Sequence, residues 1–128
     1  PKPSSAASDV YKRQAYSWLE RNYKIELSME MLKEAYDLRK NDPYITDSLG
    51  WGYYLINDFE NAEKYLKKAV ELMPYDPIVN DHYGDILWML NRKIQARYFW
   101  NNVLNLEETD DEMKIDVKKK IVYGIEKT

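Results

Sequence analysis

The apolar residues of this chain recur at helical spacing. Met31, Leu32, Ala35 and Leu38 step by one, three and three, Phe59, Ala62, Leu66, Ala69 and Val70 by three, four, three and one, and Met113, Val117, Ile121 and Ile125 by four. That spacing lines one face of an α-helix, whereas a half-buried strand would alternate. Polar breaks at Asn57-Asp58 and Asn91-Arg92 cut the pattern where a tight turn between two helices belongs. Asp42-Pro43 and Asp76-Pro77 are start signals: the aspartate can accept amides of the first turn, and proline suits the first helical position. Each such cap contributes about 1 kcal/mol relative to alanine.

The pattern is written twice. Asp42, Asp47, Gly50, Asn57, Ala62 and Leu72 return 34 residues later as Asp76, Asp81, Gly84, Asn91, Ala96 and Leu106. A fixed period of this length marks a stacked repeat, each unit a helix pair that cannot bury its apolar face alone. Gly50 and Gly84 allow close approach of another backbone, and Ala62 and Ala96 are expected to supply the facing small surface. Leu49, Tyr53, Phe59, Leu66 and Val70 fill one unit, and Tyr83, Leu87, Trp100, Val103 and Leu104 the next.

Leu49-Gly50-x-x-Tyr53, Ala62-x-x-x-Leu66, Ala69 and Pro74 resemble the tetratricopeptide repeat (TPR) at its own spacing. The second copy keeps Gly84 and Ala96 but has Tyr83 for Leu, Leu87 for Tyr, Lys93 for an aromatic, Val103 for Ala and Glu108 for Pro. Thr46 and Asn80 both stand at the usual Trp position. Asp47-Ser48-Leu49-Gly50-Trp51 and Asn80-Asp81-His82-Tyr83-Gly84-Asp85 also resemble the C-terminal repeats of bacterial, particularly alphaproteobacterial, TPR proteins. The resemblance implies an all-α fold, a TPR-like α-solenoid of antiparallel helix pairs with a C-terminal capping helix, belonging to a larger parent protein.

The expected division is residues 42–75 and 76–109 as full repeats, 15–41 as a degenerate, truncated one, and 110–128 as the capping helix. In 15–41, Ala15, Trp18, Ser28, Leu32 and Ala35 take the repeat positions, with one extra residue in the turn around Arg21–Lys24. Met29 and Met31 read as core filling. Residues 1–14 fall outside the pattern. Their string from Ser5 to Gln14 resembles translated sequencing-adapter read-through, the alternative being a native flexible tail, and further repeats of the same chain are expected upstream. Thr109-Asp110-Asp111 starts the last helix, whose Lys118-Lys119-Lys120 reads as a solvated face rather than an anionic-surface patch.

Composition narrows the chemistry. With 128 residues the chain is one domain's worth. It has no cysteine, so disulfides and Cys-based metal sites are excluded. A single histidine, His82, permits neither a His-pair metal site nor a Ser-His-Asp triad, and it reads as a surface or groove-lining residue. The net charge of −3 argues against nucleic-acid binding, and no apolar run is long enough for membrane insertion of this segment. Gly50-Trp51-Gly52 follows no strand and is no nucleotide fingerprint. Catalytic, metal and cofactor-binding residues are therefore expected to be none.

What the resemblance implies is a groove lined by the first helix of each unit. Carried over, the groove residues are Tyr44, Asp47, Trp51 and Tyr54, then Asp81, Asp85 and Trp88, with Leu49, Gly50, Tyr53, Ala62, Ala69, Gly84 and Ala96 as repeat packing. An aromatic, acidic groove favours a basic or amphipathic segment of a protein or peptide partner. The alternative is that these aromatics pack against a neighbouring repeat. The expected function is a non-enzymatic protein–protein interaction scaffold; the other readings are an accessory TPR region of a larger enzyme such as a glycosyltransferase, or a purely structural array segment.

Overall fold

A computed structural model describes the backbone of residues 5–126 and the side chains of residues 12–126. Seven helices follow one another: α1 (Ser5–Glu20), α2 (Ile25–Leu38), α3 (Pro43–Leu55), α4 (Phe59–Leu72), α5 (Pro77–Met89), α6 (Lys93–Asn105) and α7 (Asp111–Tyr123). No strand occurs among the described residues. The dominant contacts join α1 to α2, α3 to α4 and α5 to α6, giving three antiparallel hairpins that stack in order, with α7 laid on α6.

Local chemistry sets the helix ends. The Asp42 carboxylate accepts from the Tyr44 and Ile45 amides at 2.9 and 3.1 Å, and Asp76 accepts from Val79 at 3.0 Å. Asp110 caps α7 through the Met113 amide at 2.8 Å, and Asp58 caps α4 through Asn61. The two short turns each place an asparagine in left-handed conformation, Asn57 at φ 65° and Asn91 at φ 63°. Asparagine tolerates that region better than most residues because its side chain bonds locally. The first turn, residues 21–24, is one residue longer and uses two such positions, Asn22 and Lys24.

The glycine notches hold larger partners than the sequence suggests. A Cβ on Gly50 would lie 2.7 Å from the Leu66 Cγ and 2.9 Å from the Leu66 amide nitrogen. A Cβ on Gly84 would lie 2.5 Å from two indole atoms of Trp100 and 3.2 Å from the Ala96 carbonyl oxygen. Leu66 and Trp100, one period apart, thus occupy the two notches, and the Ala96 backbone lies against Gly84 beside Trp100. Ala62, Ala69 and Ala96 are themselves fully buried, in one core with Leu49 and Tyr53. Their small side chains leave the room that Leu66 and Trp100 take.

Two further expectations change. Helix α1 takes in residues 5–14, set aside above as a tail, because nothing after Pro3 breaks a helix there; residues 1–4 lie outside the described residues. Leu38, expected on the apolar face and the last residue of α2, is exposed, while Ser28 and Met29 are buried as their positions implied. The Ser28 hydroxyl is buried without a hydrogen-bond partner. Desolvating an unpaired hydroxyl costs about 1–3 kcal/mol, so Ser28→Ala is expected to stabilise the fold by about 1 kcal/mol. Thermal unfolding checks this; an unchanged or lower midpoint would mean the hydroxyl finds a partner.

Candidate functional site

Helices α1, α3 and α5, the first of each hairpin, lie side by side and present one face. On it the expected groove residues meet, but mostly with one another. Trp51 is stacked between two rings, Tyr54 at 4.3 Å and His82 at 3.9 Å between centroids. Asp47, Tyr54 and Asp85 are buried; Trp51, Asp81 and Trp88 are half-buried; only Tyr44 is exposed, and it stands in a different cleft. The acids and aromatics expected in the groove thus make internal pairs on this face.

His82, expected at the surface or lining the groove, stands on the groove face and is buried. Its Nδ1–H donates to Asp47 across the α3–α5 contact, 3.0 Å from either oxygen. Burial by itself would lower the His82 pKa, but the charge and hydrogen bond of Asp47, with Asp85 and Asp81 behind it, carry it above its ordinary value. Further along α5, Lys120 of α7 reaches both remaining acids, bonding Asp81 and lying 2.7 Å from Asp85. It is thus not part of a solvated lysine face. Burial and the neighbouring Asp81 push the Asp85 pKa up to about 6, against the pull of Lys120 and His82. Lys120 is itself raised: burial lowers it, and Asp85 and Asp81 more than offset that.

Trp88 is covered as well. Its indole N–H donates to the Ile125 carbonyl at 3.1 Å. The ring lies 5.6 Å from Trp100 and carries Lys93 and Arg97 at 4.8 and 5.1 Å. Gly124, at φ 72°, presses so close to Trp88 that no Cβ would fit. For Trp88 the covering is supplied by Trp100 and by the residues that follow α7.

These pairings set a pH dependence. A raised histidine pKa means the His82–Asp47 pair stabilises fully below the unfolded value near 6.5 and is lost as pH climbs through the higher folded value. A raised Asp85 pKa acts in the same direction, removing stability between about pH 4 and about pH 6. The melting temperature is therefore expected to fall from pH 7 to pH 9, and His82→Gln to flatten that limb. Parallel curves for the two proteins across that range would dismiss the histidine pair as the cause.

Open space on this face lies nearer the N-terminus. A cleft of about 400 Å³ is lined by Lys12, Arg13, Tyr16, Ser17 and Glu20 of α1, Asp47 and Ser48 of α3, and Ile78 and His82 of α5. Lys12 and Arg13 were missed because the repeat was started at Ala15, and Tyr16, Ser17 and Glu20 because groove positions were carried over only to the two full repeats. Setting Ala15 against Gly50 places Lys12 opposite Asp47 and Tyr16 opposite Trp51. No group of three or more metal-ligating side chains forms among the described residues.

No protein-family model matches the chain, and no curated protein matches it. Solved structures do. The first TPR of Spaghetti (RPAP3) bound to an HSP90 peptide superposes with a TM-score of 0.76 at 19% identity, covering 92% of this chain and 93% of that one. The fold is a tetratricopeptide-repeat fold. The first TPR domain of human RPAP3 is similar at TM-score 0.77 and 18% identity, each chain covered to 91%. The Yersinia enterocolitica type III secretion translocator chaperone SycD gives 0.80 at 15% identity, over 93% of this chain and 92% of that one. In this TPR-like chain, no described helix is long and apolar enough to cross a membrane.

Proposed function

We propose that this chain is a non-enzymatic interaction scaffold that takes an amphipathic segment of a partner protein in the cleft across α1, α3 and α5. The repeat units would be 42–75 and 76–109, preceded by a degenerate one. The observation that carries the reading is the cleft's mixed lining: Tyr16 and the half-exposed Ile78 offer apolar surface, while Lys12, Arg13 and Glu20 stand on α1 with both charge signs. The acids expected to draw a basic ligand are already compensated within the chain, Asp47 by His82 and Asp81 with Asp85 by Lys120. Of the basic or amphipathic ligand expected, this favours the amphipathic one. Peptide-bearing TPR structures of the same fold lend support.

Fluorescence anisotropy with labelled amphipathic, polybasic and polyacidic peptides of equal length tests the reading. The amphipathic peptide is expected to bind, and Tyr16→Ala or Ile78→Ala to weaken it about tenfold, the equivalent of 1.4 kcal/mol. Tightest binding of the polybasic peptide, or indifference to both substitutions, would refute it.

A further inference from the structure

On the edge of the stack, away from that cleft, a second hollow of about 560 Å³ opens between the start of α3, the turn from α4 to α5 and the turn from α6 to α7. Its walls are aromatic and acidic. Tyr75 is 81% exposed and Tyr44 52% exposed, with Leu72 beside them. Asp76, Glu107 and Glu108 supply the charge, and no Lys, Arg or His lines the hollow. Asp76 is committed to capping α5. Glu107 and Glu108 are exposed and form no ion pair with a described residue, unlike Asp47, Asp81 and Asp85 on the first-helix face.

Several other aromatics of this chain already carry a cation. Lys24 lies over Trp18 and Tyr23, Lys33 over Tyr53, Lys68 over Tyr36, and Lys93 over Trp88, each within 6 Å of the ring. Tyr44 has Lys12 at 5.8 Å. Tyr75 has neither a ring nor a cation against it among the described residues, although it is among the most exposed aromatics and sits beside two free carboxylates. A cation over an aromatic face gains from the ring quadrupole, and a guanidinium can stack on tyrosine while its fork bonds a carboxylate.

We propose that this hollow is a docking site for an arginine-bearing segment of a partner protein, the guanidinium stacking on Tyr75 and pairing with Glu107 and Glu108. The site is separate from the cleft proposed above and does not depend on it. Charge complementarity selects this occupant: every charged residue lining the hollow is negative, so an acidic or purely apolar segment gains nothing from the glutamates.

The probe is a labelled penta-arginine peptide titrated onto the full chain, with penta-glutamate as control. Amide shifts are expected to cluster at Tyr44, residues 72–76 and residues 105–108, with no response to penta-glutamate. Tyr75→Ala and the pair Glu107→Gln with Glu108→Gln should each weaken binding about fivefold or more, while Tyr75→Phe retains it. Glu30→Gln with Glu34→Gln removes the same charge from exposed positions on α2 and should leave the affinity unchanged. Tyr16→Ala, which disables the cleft, should also leave it unchanged. Absence of penta-arginine binding, or equal losses from the α2 pair and the Glu107/Glu108 pair, would overturn the site.

Discussion

Trp100→Ala is expected to cost about 4 kcal/mol, within the usual range for emptying a buried aromatic position. Trp100 is fully buried, fills the notch over Gly84, lies against Trp88, and donates its indole N–H to Asp85 at 3.0 Å. The substitution removes all of these at once. It also removes the ring over which Lys120 sits at 5.5 Å. For a chain of this length, a loss of that size corresponds to a fall of about 15 °C in melting temperature. Trp100→Leu, which copies the residue used one period earlier at Leu66, should lose distinctly less. Circular-dichroism melts of the two variants decide the matter: a drop of only a few degrees for the alanine variant would mean that the notch is not closed by the indole.

Lys120→Met is expected to rank second. The two carboxylates it leaves, Asp81 and Asp85, are already close enough for Asp81 to raise the Asp85 pKa, and Lys120 is the cation that opposes this. Breaking a fully buried pair from one side costs about 3–5 kcal/mol; with the lysine side chain still 20% exposed, about 2–3 kcal/mol is the appropriate figure. The loss should be local first. Amide exchange in α7 should accelerate about thirtyfold, the equivalent of 2 kcal/mol, before the hairpins respond. Adding Asp85→Asn should restore protection, since an amide can still accept from Trp100 and no longer repels Asp81. Unchanged exchange in α7 would show that its apolar contacts, centred on Val117, hold it without the ion pairs.

Most of the architecture was legible because it is periodic and local. Asp42 and Asp76 announce helix starts through bonds to residues two or three places on, and Gly50 and Gly84 announce close approach simply by lacking a side chain. The candidate site was harder to read. A helical period says which face Asp47, Asp85 and Trp88 share but not what lies over that face. Their partners stand 35 residues or more away in His82, Lys120 and Ile125. Lys120 reads as part of a polar triplet until α7 is placed, and His82 reads as a neighbour of Asp81 and Asp85 until α3 is set against α5. Lys12 and Arg13 were lost for another reason: residues 1–14 were set aside as read-through or a tail, although α1 runs through them.

The order of contacts along the stack bears on how quickly this protein acquires its shape. Every substantial helix contact joins neighbours, or next neighbours, in chain order. Chains built this way cross their folding barrier in microseconds to milliseconds, because little loop entropy is lost before contacts begin to form. During synthesis the first two hairpins can therefore close while α7 is still emerging from the ribosome, leaving the lysine that spans 35 and 39 residues to Asp85 and Asp81 as a late-closing latch.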